Sequence, residues 1–142
     1  MPNIAWLRLF GLGAMIVAGT WFGFRQFAAT PPKFPPASDF MVEGYHIQVS
    51  LHPSPATALK PGTFTVTLRD SAGRPVSGAI GTATISMPQM LCGVSPFILT
   101  ETEAGRYVGE GIPLMAGSSV ADVSMTVGDK SLRVRFPFAA VR

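Results

Sequence analysis

The chain has 142 residues, a net charge of +3 and only 13% charged residues; with an N-terminal apolar run set aside, about 100 residues remain for one modest core. The basic residues are scattered, with no Lys/Arg run and no basic stripe interleaved with aromatics, which argues against nucleic acid as a partner. A single cysteine excludes an intrachain disulfide and a multi-cysteine zinc site.

The first element in chain order is an uncharged stretch of 16 residues between Arg8 and Arg25. Trp6, Leu7 and the snorkelling stems of the two arginines extend it to roughly 20 residues or 30 Å, enough to cross a bilayer. Trp6 and Trp21 occupy positions suited to the two interfaces. The sequence after Arg25 lacks small residues at the −3 and −1 positions of any nearby signal-peptidase cut, so residues 1–28 are expected to be a retained transmembrane anchor. With a short N-terminal tail inside, the chain reads as a single-pass cell-membrane protein whose C-terminal domain is extracytoplasmic. Gly11, Gly19 and Gly23 fall in one strip of such a helix, and Gly19 with Gly23 forms the close-packing GxxxG pattern, which makes these three the candidate helix-packing residues.

Residues 29–41 are expected to be a spacer. Pro31, Pro32, Pro35 and Pro36 deny the run Ala29 to Ser38 both helix and ladder hydrogen bonds, and fully extended that run spans about 25 to 30 Å.

From Tyr45 the period is two. Tyr45, Ile47, Val49 and Leu51 alternate with polar residues, as do Phe64, Val66 and Leu68, which is the pattern of half-buried strands. Asp70 to Pro75 reads as a turn, with Gly73 free to take positive φ and Pro75 unable to continue a central ladder. A third strand is expected to carry Ala83, Ile85 and Met87. Further strands are expected over Phe97 to Glu101, Arg106 to Gly111, Val120 to Val127 and Leu132 to Phe138, the last two joined by a hairpin at Gly128 to Lys130. Seven short strands with frequent turns predict an antiparallel β-sandwich over residues 42–142.

The segment Phe64 to Ala79, with its D-x-x-G-x-P-V-x-G-A turn, is followed by Met87-Pro88-Gln89-Met90, then Gly105-Arg106-Tyr107 and Leu114-Met115-Ala116-Gly117. These segments, in the order anchor, spacer, sandwich, resemble the FixH/YtkA-like family of membrane-anchored immunoglobulin-like domains over roughly residues 40 to 138. The resemblance implies an extracytoplasmic immunoglobulin-like domain tied to the assembly or copper supply of haem–copper respiratory oxidases.

Met87, Met90 and Cys92 place two thioethers and the one thiol within six residues, and soft sulfur ligands select copper(I). Strand alternation through Ala83 and Ile85 puts Met87 on the inward face, where it would fill the end of the core. Pro88 breaks the ladder, and a three-coordinate site requires the turn to fold Met87 back toward Met90 and Cys92. His46 and His52 share one strand but lie roughly 20 Å apart, too far to bind one metal together. No nucleophile elbow, phosphate-binding loop or paired carboxylates appear, so the chain is not read as an enzyme. Two functions follow. The first is an accessory subunit or assembly factor of a membrane respiratory complex, in contact with the lipid bilayer and a membrane-embedded protein complex. The alternative is a copper(I)-binding module using Met87, Met90 and Cys92.

Overall fold

A computed structural model describes residues 34–91 and 93–142, all of them strand, turn or irregular backbone. Nine strands form: β1 (Ala37–Val42), β2 (Tyr45–His52), β3 (Ala56–Thr57), β4 (Gly62–Arg69), β5 (Ile80–Ser86), β6 (Ser95–Glu103), β7 (Arg106–Gly111), β8 (Gly117–Val127) and β9 (Lys130–Val141). One layer runs β1-β2-β4-β7 and the other β5-β8-β9-β3, with β6 linking β7 to β5. The arrangement of β2, β4, β7 and β6 against β5, β8 and β9 is that of an immunoglobulin-like sandwich.

The period-two segments bury the faces their alternation predicts. Ile47, Val49, Leu51, Phe64, Val66, Leu68, Ala83 and Ile85 all lie in the core, together with Met125, Leu132, Phe136 and Phe138 from the second layer. Each large side chain fully buried in this way contributes roughly 1.5–3 kcal/mol. An aromatic layer occupies one end of the core: the Phe64 ring lies 5.0 Å from that of Phe97 and 5.5 Å from that of Phe138.

β6 belongs to both layers. Ser95 to Leu99 pair with β5, whereas Thr100, Glu101 and Glu103 pair with β7 through a register shift. The crossing needs close backbone approach, and glycine supplies it. A Cβ on Gly81 would stand 2.8 Å from the Cβ of Leu99, and one on Gly109 would stand 2.5 Å from the carbonyl oxygen of Ile98.

Two strands go beyond the seven expected. β3 is two residues long and runs parallel to the end of β9. β1 replaces the last part of the expected spacer: Ala37 to Val42 form a full antiparallel ladder with β2, and Leu51 N–H donates to the Pro36 carbonyl at 2.9 Å. The proline-rich composition hid it. Pro35 and Pro36 cannot donate, but from Ala37 onward every residue has an N–H, and Phe40 and Val42 turn inward against the core. The boundary expected at residue 42 is therefore corrected to Phe34, where the compact unit begins.

The Asp70 turn carries the chain from the first layer to the second. Asp70 Oδ1 accepts from the N–H groups of Ala72 and Arg74, both at 2.9 Å, and Gly73 has φ of 78°. The rest of the crossover is tied down from β6 and β7. The Tyr107 hydroxyl donates to the Val76 carbonyl at 2.8 Å and accepts from Ala79 N–H at 3.1 Å. Glu101 accepts from Gly78 N–H at 3.0 Å and from Gly105 N–H at 3.2 Å. Gly105, at φ of 72°, leaves room for Pro75, whose Cβ would be 2.7 Å from any side chain there. The D-x-x-G-x-P-V-x-G-A run is thus a pinned crossover between layers, a structural role.

Candidate functional site

The end of the sandwich at which β2, β5, β7 and β9 finish is built from three connections, residues 53–61, 87–94 and 112–116. They touch one another. Leu59 N–H donates to the Pro113 carbonyl at 2.7 Å, and Ala58 N–H to that of Val141 at 2.8 Å. A Cβ on Gly93 would lie 3.6 Å from Leu114, and the terminal methyl of Met87 lies over Gly117.

This end is apolar. Leu59 is exposed on the first connection and Met90, Leu91 and Val94 on the second. Ile112, Leu114 and Met115 are exposed on the third, and Val141 is exposed beside them. Leu91 has no cover at all from the domain. Among the described residues only Met41, Ile80 and Ile98 are exposed large hydrophobics elsewhere. A patch drawn from three loops marks an interaction site more strongly than scattered surface leucines do.

The charges are arranged the other way. Glu43, Asp70, Glu103 and Asp129 sit in or beside the turns at the opposite end together with Arg74, Arg106 and Lys130, and Asp70 pairs with Arg74 at 3.3 Å and Glu103 with Arg106 at 3.9 Å. Lys60 and Arg142 are exposed at the apolar end, where Glu110 on β7 pairs with Thr63 near the start of β4. The outer face of β5, β8 and β9 is polar, with Thr82, Thr84, Ser124 and Arg133 around the Arg135–Asp122 ion pair at 2.9 Å.

The sulfur residues expected as ligands lie at the apolar end as far as they are described. Met87 is the first residue after β5 and only half-buried, so it caps the end of the core instead of filling its interior. Met90 N–H donates to the Met87 carbonyl at 3.1 Å. That closes a four-residue turn. Cys92 lies outside the described residues, as do Gly11, Gly19, Gly23 and the expected span 6–25. Met115, which the sequence reading did not single out, joins Met87 and Met90 at this end. Its signal was available: Ile112 to Met115 is an apolar run placed between strands, where polar turn residues are the rule.

The histidines do not join. His46 pairs with Asp39 at 3.2 Å on the β1–β2 face, and His52 is exposed at the end of β2. Among the described residues no group of three His, Cys, Asp or Glu side chains could hold a metal ion, and no helix is long and apolar enough to cross a membrane.

No protein-family model matches the chain, and no curated protein matches it. Among solved structures it is similar to the crystal structure of the Lin-41 filamin domain, at 16% identity and a TM-score of 0.47, over 80% of this chain and 99% of that one.

Proposed function

We propose that the chain is a single-span accessory subunit or assembly factor of a membrane respiratory complex of the haem–copper oxidase type, held by its N-terminal segment and docking through an extracytoplasmic β-sandwich. The observation that carries this reading is the exposed apolar end of the sandwich, built from three mutually supporting loops on a domain with no catalytic constellation in its sequence. A rigid scaffold that presents apolar loops is suited to binding. The resemblance of residues 40 to 138 to membrane-anchored oxidase accessory domains supplies the class of complex.

The test is purification of the tagged full chain from its native membranes in mild detergent. Haem absorbance in the purified fraction, changing on reduction with dithionite, is the expected result. A haem-free preparation counts against this reading.

A second reading is favoured by the turn that closes Met87 onto Met90 with Met115 on the neighbouring loop: an extracytoplasmic copper(I) site using Met87, Met90 and Cys92. Thioether and thiolate donors suit that ion. Titration of the full chain with copper(I) under reducing conditions should then show one equivalent bound, lost in Cys92→Ser. No binding by the folded chain removes this reading.

A further inference from the structure

The chain comes into the domain at its apolar end. Pro36 accepts from Leu51 N–H, and Ala37 pairs with Ser50 next to the finish of β2, so β1 starts beside the connections that carry Leu91 and Leu114 and runs away from them. Because the compact unit begins at Phe34, only residues 26–33 separate it from Arg25. Eight residues reach no more than about 28 Å even when fully extended. A segment that crosses a bilayer and ends near Arg25 would therefore tether this end of the domain within that distance of the lipid headgroups.

The surface fits such a neighbour. Its apolar side chains project from three separate loops, with Leu91 fully uncovered. A protein partner would have to provide a matched recess for each projection, whereas an acyl and headgroup layer accepts them without prior shape. Lys60 and Arg142, exposed at the same end, favour anionic headgroups. The flanks of the sandwich stay clear for a protein complex.

We propose that the apolar end of the sandwich is a lipid-docking tip, with Leu91, Val94, Leu114 and Met115 entering the headgroup layer of the bilayer that the N-terminal segment crosses. The proposal rests on the reading of residues 1–28 as a membrane anchor. It also places Met87 and Met90 close to the membrane surface.

The experiment uses the full chain with Cys92→Ser and one new cysteine at a time, Leu91→Cys or Leu114→Cys at the tip, Ser71→Cys at the far end and Ile98→Cys on the flank. All four positions are exposed, so each variant should melt with its parent. Each is nitroxide-labelled and reconstituted in vesicles of equal parts phosphatidylcholine and phosphatidylglycerol. Labels at 91 and 114 should collide several-fold more with oxygen, which concentrates in lipid, than with a water-soluble nickel chelate, and labels at 71 and 98 should show the reverse. Tip labels as accessible to nickel as the label at 71 overturn the proposal. So do tip labels that are aqueous in pure lipid but shielded from both reagents in native membranes, which would make the occupant a protein. Alkaline carbonate washing of the parent is scored separately: release of the chain refutes the anchor reading alone, since tip labels still report whether the loops enter added vesicles.

Discussion

Replacing Tyr107 by phenylalanine removes one oxygen atom and unpins the crossover between the two layers. The Tyr107 side chain is fully buried, and its hydroxyl joins the Val76 carbonyl at 2.8 Å to the Ala79 N–H at 3.1 Å. Each such bond has a net worth of roughly 1 kcal/mol, and a partner left unsatisfied adds a desolvation cost of about 1–3 kcal/mol when fully buried. Val76 and Ala79 are only half-buried, so water recovers part of that cost. The expected loss is about 2 kcal/mol, or roughly 8 °C in Tm for a domain of about a hundred residues. Thermal unfolding of the full chain in detergent, followed by the circular dichroism of the strands, measures it. The pH dependence gives a second signature. Burial, opposed by the Ala79 hydrogen bond and reinforced by the nearby Glu101 charge, raises the Tyr107 pKa above its ordinary 10.0. The folded state thus favours the neutral phenol: this contribution is complete below pH 10 and is lost as pH rises through the folded pKa. Tyr107→Phe lacks that loss, so the gap between parent and variant should narrow in strong alkali. A Tm within about 2 °C of the parent near neutral pH, or a gap that widens in alkali, refutes the pinning argument.

Three other perturbations follow from the same framework. Glu101 is held below its ordinary carboxylate pKa of 4.5, chiefly by the Gly78 N–H and then by Ser77 and Gly105; its contribution is present above that value and lost as pH falls, so Glu101→Ala should flatten the acid limb of a urea-melt pH series, and an unchanged limb counts against it. Gly109→Ala should cost about 1–3 kcal/mol, because the new Cβ meets the Ile98 carbonyl where β6 changes layers; chemical denaturation at an unaltered midpoint would show that the crossing tolerates a side chain. Ser119→Ala should leave stability unchanged or raise it by up to about 1 kcal/mol, since its hydroxyl is buried with no partner, and a loss of that size would reveal a bond the geometry does not contain.

The sequence by itself determined the strands whose two faces differ. In β2 and β4 the alternation of Ile47, Val49 and Leu51 or Phe64, Val66 and Leu68 with polar residues specifies both the strand and its buried side, because a one-residue slip would turn every apolar group into water. The Asp70 to Pro75 turn was legible for a similarly local reason, since Asp, Gly and Pro each impose a backbone geometry on their own neighbours. Locality also sets the limit of that information. β1 acquires its identity from the open edge of β2, and β3 from two residues of β9, pairings that no short window contains. β6 could be recognised as a strand, but its division between two layers depends on glycines at 81 and 109, far from it in sequence. The candidate surface belongs to the same class. Leu59, Leu91 and Leu114 sit in three separate loops, and as isolated residues they are ordinary; only the closing of the sandwich brings them to one end. Met87 lies on the border. Its inward direction followed from the alternation of β5, but its half-buried depth was decided by where the strand stops and by Gly117 across from it, contacts that exist only once the chain has folded.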